Sequence, residues 1–528
     1  ASWNAGRSGG RGRRSRHWVR PSNGRGWTIM GQWARAGCLL VAGVWLTGCA
    51  VGPDFVPPPA PDVNGYTSEP LAPTAAGSAT PGGNAQRFVH DLDLPGQWWT
   101  LFHSKPLNDL IDKALAANPD LQAAQAALVV ARENVYVQEG AYFPAVDGNF
   151  AGSRQKFEIG QPSDVGTTSV FNLFTGQLNI SYTPDVFGAN RRAVESLQAQ
   201  EDAQRFTLEA TYLTLISNLA GAAVQEASLR GQIAATQSII KIESDVLTLI
   251  RKQFKLGQIA EDDMVAQEAA LAQVEQTLPP LQKQLLQQRD LLAALTGGFP
   301  NEIMPQKFFL AGLHLPRDLP VSLPSALVEQ RPDIRAAAAN LQSASAQIGV
   351  AVANRLPNIA LTGNVGSTAL SVDQLFTPGF GFWTAAAGVT QPLFHGGALL
   401  HKQRAAEAAY EQAAAQYKSA VRVAFQNVAD SLRAIQTDAI ALQKAVASEA
   451  ASGKSLAIVR KRLELGDVNY LALLNAQQTY QQAVLSLAQA KAARYGDTVA
   501  LFQALGGGWW NRSDVAPERP LSITDVFQ

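Results

Sequence analysis

The chain has 528 residues, of which 46% are apolar and 16% are charged, so it can bury a large core. Its 43 basic and 43 acidic side chains give a formal net charge of zero. Residues 1–48 hold eight arginines, no lysine and no acid, which leaves 35 basic against 43 acidic side chains, a charge near −8, in the remainder. Nucleic-acid binding requires a basic face, and a protein with this net negative charge is a poor candidate for it, so nucleic acid is not expected as a partner.

The first 48 residues are interpreted as a targeting segment preceded by upstream sequence. Met30 is the first methionine, and an apolar run from Ala36 to Trp45 follows a single arginine, as in a secretory signal peptide. The run is too short to remain as a membrane-spanning helix. We therefore assign 30–48 to the signal peptide. Residues 1–29, which include a Gly/Arg-rich tract, are interpreted as upstream sequence from a mis-called start rather than as an RNA-binding segment.

The segment "LTGC", ending at Cys49, resembles the lipobox of bacterial lipoproteins. Cleavage before Cys49 would make it the first mature residue, with a diacylglyceryl thioether and an N-acyl chain as its only expected covalent additions. Cys38, the other cysteine, lies in the removed segment, so neither a disulfide nor a metal cluster of cysteines is expected. The alternative is an ordinary signal peptide with a chance cysteine. Residues 49–97, rich in proline, are predicted to form an extended strap from the lipid to the body. Ala50 replaces the aspartate that retains enterobacterial lipoproteins in the inner membrane, which favours the outer membrane.

The rest of the chain is an internal duplication, with two copies of one sequence unit in tandem. Residues 118–144 align without gaps with residues 331–357, and further on Arg251 aligns with Arg460 and Gly257 with Gly466. We assign 98–310 to the first repeat and 311–508 to the second, each with a helix, two strands and a long helical hairpin. Residues 509–528 are predicted to be a flexible C-terminal tail.

Two strands are predicted in each repeat, followed by very long helices. Period-2 alternation places the strands at about 145–156, 172–184, 358–368 and 380–391, each near the length that a tilted membrane strand requires. The following proline-free segments carry heptad seams, which predict helices of about 60–65 residues. Gly257 and Gly466 are predicted to end these helices. Four strands are too few to close a membrane barrel, so the chain must either share a barrel with other copies or keep its strands out of lipid.

Several motifs then resemble one known family over residues 49 to about 510. They are "CAVGPDF", "WWTLF" (98–102), "DVFGANRRAVESLQA" (185–199), "RPDIRAA" (331–337), "QPLFHGG" (391–397) and "ALGGGWW" (504–510). The chain resembles TolC-type outer-membrane factors, in their NodT/OprM-like lipoprotein branch. The resemblance implies a mainly α fold with a small β part, in which a homotrimer forms a 12-stranded β-barrel continued by an α-helical barrel.

The resemblance also implies a function and a location. The protein would be the outer-membrane channel of a tripartite efflux system, lipid-anchored in the bacterial outer membrane with its helical body in the periplasm. A periplasmic adaptor (membrane fusion) protein and an inner-membrane pump, of the RND type, would be its partners. The tip turns Gly257 and Gly466, with Arg251 and Arg460 before them, would dock the adaptor. The arginines also suit the helix dipole without any partner.

Two sets of residues are candidates for the channel aperture. Some relatives have Asp-Ala-Gln-Arg after the second turn, where this chain has Asn475, Ala476, Gln477 and Gln478, so a charge-assisted lock cannot be carried over. Asp262 and Asp263, after the first turn, could attract cations at the tunnel mouth; the simpler interpretation is that they are favourable first-turn acids. Asp467 is predicted to be a helix N-cap.

The "RPDIR" motif is given a structural role. Arg331, Pro332, Asp333 and Arg335 are predicted to form a helix entry with a local ion pair. No enzyme motif is found: the histidines beyond the leader do not form H-E-x-x-H, and the chain has neither a P-loop nor G-x-S-x-G. The rival interpretation is a non-channel periplasmic lipoprotein, a coiled-coil tether or adaptor, which would be expected to have one hairpin rather than two.

Overall fold

The computed structural model describes residues 50–515, except 64, 76–79, 91, 160–166 and 303–304. The predicted leader (1–29), signal peptide (30–48) and lipidated Cys49 lie outside the described residues, as do residues 516–528 of the predicted tail. The fold is mainly helical with a small β part, which confirms the predicted class.

The two repeats have the same order of elements, as the internal duplication predicts. A short helix precedes each repeat's opening helix: α1 (Lys105–Ala117) and α5 (Pro324–Gln330). The first repeat continues with α2 (Pro119–Glu139), β2 (Ala145–Ile159), β3 (Thr167–Tyr182), α3 (Ala189–Lys255) and α4 (Glu261–Leu295). The second continues with α6 (Pro332–Ala353), β5 (Asn358–Ala369), β6 (Gly381–Thr390), α7 (Ala398–Glu464) and α8 (Tyr470–Ala504).

Helices α3 and α7 have 67 residues each, slightly more than predicted. At about 1.5 Å per residue each is about 100 Å long. Both end as predicted, with a leucine followed by a glycine in the left-handed region: φ is 68° at Gly257 and 73° at Gly466. A side chain other than glycine is strained there, so these two positions fix where the chain reverses.

The heptad seam of each long helix is buried. In α7 the seam residues Leu432, Ile435 and Leu442 are fully inaccessible to solvent. In α3 the polar residue of the seam, Glu226, is equally buried, and its carboxylate accepts hydrogen bonds from Arg230 (2.6 Å) and Arg289 (3.1 Å). The ion pairs compensate the charge of Glu226, which explains how an acid is tolerated in an apolar seam.

The four long strands form one antiparallel sheet in the order β2-β3-β5-β6. β3 joins the two repeats because it pairs with β2 of its own repeat and with β5 of the other. The predicted strand positions are confirmed, but β2 extends three residues beyond its predicted end and β3 begins five residues before its predicted start. No helix among the described residues is long and apolar enough to be a membrane span.

A second, two-stranded sheet was not predicted. β1 (Arg87–His90), inside the strap, pairs in parallel with β4 (Asp318–Val321), which lies near the start of the second repeat. Arg87 and Asp318 also form an ion pair across this sheet. The strap is therefore attached to the start of the second repeat.

The main core lies where the strap, both repeats and the C-terminal end of α8 meet. Trp98, in the 3₁₀ helix Trp98–Phe102, contacts Phe502 of α8 with ring centroids 5.4 Å apart, and Phe102 packs on the same ring. All three side chains are almost completely buried. The "WWTLF" segment thus fills the core at the level where the two hairpins begin.

The prediction of a loose tail from residue 509 is wrong for residues 509–515. Trp509 Nε1 donates to Gln330 O (2.6 Å), and Arg512 Nη1 donates to Glu209 Oε2 (2.7 Å) on α3. Arg512 also lies over the ring of Tyr212, 3.4 Å from its centroid. Apolar, hydrogen-bonding and charged contacts together fix this segment to the body. The sequence after "GGG" is mixed and polar, and it has no periodic pattern from which these contacts could be predicted.

The "RPDIR" motif has the structural role predicted for it. Pro332 is the first residue of α6, and the guanidinium of Arg331 pairs with Asp333 (2.6 Å) and donates to Ala504 O (3.0 Å). Arg335 lies over the ring of Phe206, 4.8 Å from its centroid. The motif connects the start of α6 to the end of α8.

We expect Gly257→Ala to loosen the first hairpin turn. The left-handed conformation at Gly257 costs alanine about 1–2 kcal/mol, while no atom lies within 4 Å of the new methyl group, so the effect is purely conformational. Faster amide hydrogen exchange around residues 246–268, followed by mass spectrometry, would report it.

The matched control is Gly231→Ala, inside α3, where a methyl group also meets no atom within 4 Å. It should leave the turn unchanged and favour the helix. Equal exchange at the turn in both variants would contradict this role for Gly257.

Candidate functional site: a two-faced sheet and the hairpin tips

One face of the four-stranded sheet is apolar. The register aligns Gly148, Leu178, Val365 and Trp383 across the four strands, and Val146 opposite Ile180. Most of these large side chains are exposed, and Trp383 is 78% exposed. A broad exposed apolar surface of this kind marks contact with another apolar phase, such as lipid.

The opposite face is polar. The next register row aligns Asp147, Asn179, Asn364 and Thr384. Gln177 Nε2 donates to Asn179 Oδ1 (2.8 Å) along this face. Alternation of an apolar and a polar face over these rows is the pattern of strands that separate lipid from a water-filled interior.

Both edges of this sheet are open among the described residues. β2 pairs only with β3, and β6 only with β5, so the outer sides of β2 and β6 present their backbone N–H and C=O groups unpaired. Since the order alternates in direction, β2 of one copy would run antiparallel to β6 of another. The sheet is therefore suited to continuation by an identical copy at each edge.

The other end of the molecule is the hairpin tip, which we define as residues 243–268 and 456–478. Here a second apolar cluster holds all four long helices together: Val246 and Ile250 of α3, Met264 of α4, Leu456 of α7 and Leu473 of α8. The two hairpins are thus packed into one four-helix unit at this end.

A carboxylate is buried inside that unit. Glu243 of α3 is 2% exposed, and its Oε2 accepts a hydrogen bond from Gln267 Nε2 of α4 at 2.5 Å. Burial raises the pKa of Glu243, while the hydrogen bond from Gln267 and the charge of Arg460 lower it. Sequence analysis did not identify this residue; a lone acid about four turns before a tip glycine gives no motif.

Two more buried polar groups lie in the same unit. The hydroxyl of Tyr470 and both amide atoms of Gln477 are buried and have no hydrogen-bond partner among the described residues. Burial raises the pKa of Tyr470, and the charges of Glu243 and Asp263 raise it further. The tip therefore combines an apolar contact with unsatisfied polar groups, an arrangement that is less stable than a fully apolar core.

The predicted docking residues lie on the surface of the tip. Arg251 is exposed and its Nη2 lies 2.8 Å from Glu268 Oε1, so it links α3 to α4. Arg460 is exposed on α7. The leucines before the two turns, Leu256 and Leu465, are 64% and 72% exposed. Each turn thus presents a cation and an apolar side chain to solvent.

The aperture candidates are placed at the tip but do not meet in one chain. Asp262 and Asp263 lie in the first turn of α4. This position agrees with the simpler interpretation, in which they are acids that favour a helix N-terminus. Asn475 and Gln478 are exposed on α8. Their role in an aperture stays a prediction.

The assignment of Asp467 as an N-cap is wrong. Asn469 caps α8, its side chain accepting from Ala472 N at 3.1 Å. Asp467 instead accepts from Arg462 Nε (2.7 Å), because the turn takes two residues more than predicted before the helix starts.

In the part of the chain that the structure describes, no group of His, Cys, Asp and Glu side chains is arranged to hold a metal ion.

A family model for outer membrane efflux proteins matches residues 110–298 and 323–507, one segment in each repeat. The chain belongs to the outer membrane efflux protein family. Together the two segments cover most of α1 to α8.

Curated relatives and a solved structure are similar over most of the chain. The pyoverdine export outer membrane protein OpmQ of Pseudomonas putida is 29% identical over 479 residues, covering 89% of this chain and 97% of the relative. The toluene efflux pump outer membrane protein TtgC of Pseudomonas putida is 27% identical, covering 91% and 97%. The structure of the outer-membrane channel OprN superposes with a TM-score of 0.77 at 27% identity, covering 87% of this chain and all of that one.

We expect the stability of the tip to depend on the protonation of Glu243. A carboxyl group whose pKa is raised by folding binds its proton more tightly in the folded state, so its contribution to stability falls as pH rises above its ordinary value of 4.5. Glu243→Gln keeps the hydrogen bond to Gln267 without the charge. The fall in Tm between pH 5 and pH 8, measured by circular dichroism, should therefore be smaller in this variant.

The matched control is Glu275→Gln, which removes the same charge from an exposed position on α4. Its Tm should follow the wild-type pH dependence. If both variants change the pH dependence equally, the buried environment of Glu243 is not the cause.

Proposed function

We propose that the protein is the outer-membrane channel of a tripartite efflux system. The two-faced sheet carries this conclusion, because its apolar face suits lipid, its polar face suits a water-filled interior, and its open edges require further strands. Family membership supports the same function. The protein makes and breaks no bond; it provides a path for solutes.

The proposed assembly is a homotrimer. Three copies contribute twelve strands to one barrel, within the range of known membrane barrels, and every contact is then β2 of one copy with β6 of the next. Such a head-to-tail ring satisfies all backbone groups only when it closes. The long helices α3 and α7, each about 100 Å, would continue the wall of the conduit.

The proposed partners are a periplasmic adaptor and an inner-membrane pump of the RND type. The exposed Leu256 and Leu465, each preceded by a cation on the same helix, support docking of an adaptor at the tip. The relatives carry names that refer to pyoverdine in one case and toluene in another. Relatives of this chain thus carry names that refer to unlike solutes, so selection is proposed to lie in the pump rather than in this chain.

The proposed attachment to the membrane has two parts. The barrel spans the outer membrane, and acyl chains on Cys49 anchor the start of the strap, with stable anchoring expected from more than one chain. β1 supports the strap's role, because it ties this segment to the body only about forty residues after the anchor.

The face assignment is tested by two neighbouring substitutions on β3. Leu178→Arg places a charge on the apolar face, at a cost of about 2–4 kcal/mol if that face is at the middle of the bilayer. Asn179→Arg places the same charge on the polar face, where water solvates it. We expect the first variant to be depleted in the outer-membrane fraction and the second to be present and to conduct ions in planar bilayers.

The opposite outcome, with Asn179→Arg lost and Leu178→Arg assembled, would contradict the assignment of the faces. Normal assembly of both variants would place the sheet outside the membrane and favour a periplasmic tether. An assembled protein without conductance would contradict the conduit.

A further inference from the structure

A groove of about 700 Å³ lies on the apolar face of the sheet. Gly148 and Gly176, which are close in the register, form part of its floor. Phe150, Leu178 and Phe376 line its walls. A largely apolar groove of this volume is in the range of sites that bind one ligand.

The loop between β5 and β6 forms one wall because it folds back onto the sheet. Leu375 is 1% exposed, and a methyl group on Gly176 would lie 3.3 Å from both Leu375 Cδ2 and Phe376 Cζ. The glycine lets the loop approach the strand. Four large apolar side chains of the loop are exposed, Leu370, Val372, Phe376 and Phe380, beside the exposed polar residues Asp373, Gln374 and Thr377.

This placement continues the lipid-facing surface. Leu375 and Phe376 contact the same side of Gly176 on which Phe150 and Ser367 lie in the register. An exposed loop with four large apolar side chains is unfavourable in water. On a sheet that spans a membrane, the groove between loop and strand therefore opens toward hydrocarbon.

Two cations lie beyond the groove on the same face. Arg154 and Lys156 follow Phe150 by four and six residues along β2, so their Cα atoms are about 13 and 20 Å from that of Phe150. Both are exposed. Arg154 is the tenth residue of β2, counted from the end next to the helices. A tilted strand crosses the bilayer in about 9–11 residues, which places this pair at the far interface.

We propose that the groove and the cation pair form a binding site for a phosphate-bearing lipid of the outer leaflet. An acyl chain occupies the groove between Phe150 and Phe376, and the headgroup phosphate meets Arg154 and Lys156. The guanidinium provides paired donors for phosphate oxygens and the ammonium adds a point charge. The proposal rests on the outer-membrane position of the sheet and adds a specific ligand to it.

The site differs from the general lipid contact of the barrel in two ways. It has a shape, because glycines on two neighbouring strands leave the floor open while the loop supplies a wall. It also has a direction along β2. The apolar Phe150 comes first and the basic Arg154 and Lys156 follow, which matches the order of acyl chain and phosphate in a lipid.

The test is native mass spectrometry of the detergent-solubilised protein, titrated with diphosphoryl lipid A and, separately, with monophosphoryl lipid A and phosphatidylcholine. We expect adducts with diphosphoryl lipid A at the lowest concentration. Arg154→Gln with Lys156→Gln should weaken that binding about 25-fold, because each cation near a membrane surface contributes a factor of about five. Gly148→Leu, whose Cβ would lie 3.8 Å from Leu178 Cδ2, should fill the groove and weaken binding of all three lipids.

The matched control is Lys283→Gln with Lys307→Gln, which removes the same charge from exposed positions outside the strands. It should bind lipid as the wild type does. The proposal is overturned if the Arg154/Lys156 variant and the Gly148 variant bind diphosphoryl lipid A as tightly as the control.

Assembly and conductance are measured on the same samples, so the two proposals fail separately. A variant that assembles and conducts but has lost the lipid supports the site. A wild-type protein that does not assemble or conduct contradicts the channel, and one that conducts but shows no preference among the three lipids contradicts the site alone.

Discussion

The unpaired edges of β2 and β6 are the constraint on which the rest of the structure depends. In hydrocarbon each unsatisfied backbone N–H or C=O group costs several kcal/mol, so a sheet with an apolar face cannot lie in a membrane with open edges. The described residues contribute four strands to this sheet, too few to close on themselves. The proposed assembly of identical copies resolves the problem, since the alternating direction of the strands lets one edge continue in the other.

The same constraint explains why the two repeats must be held rigidly together. β3 and β5 belong to different repeats yet pair along nine register positions, so each copy presents one continuous sheet. The aromatic core around Trp98 and Phe502, the β1–β4 sheet and the docked segment 509–515 all connect the repeats below that sheet. At the other end, the apolar cluster of the tip holds both hairpins, but it also encloses Glu243, Tyr470 and Gln477. The larger core therefore lies partway along the long helices, and a smaller cluster that encloses polar groups lies at the tip.

Periodic features of this fold could be predicted from the sequence, and features that depend on single long-range contacts could not. The alternation at 172–184 and the heptad seam from Val421 each repeat a local pattern, so strands and helices were placed within a few residues. Gly257 and Gly466 were identified because a left-handed turn favours glycine strongly. By contrast, Arg512 forms an ion pair with Glu209, which is 303 residues away in the sequence, and β1 pairs with a strand that is 231 residues away. Such partners leave no trace in local spacing. At the tip, the exposed residues were predicted from family motifs, whereas buried Glu243 was missed because its environment arises only when four helices meet.

The most direct test of this account is the native mass of the protein extracted from outer membranes in mild detergent. The proposed closure of the sheet edges in a homotrimer predicts three times the mass of the mature chain and ion conductance when the protein is placed in a planar bilayer. A stable monomer, soluble once any lipid anchor is removed, would show that the edges of β2 and β6 need no partner and would contradict the account.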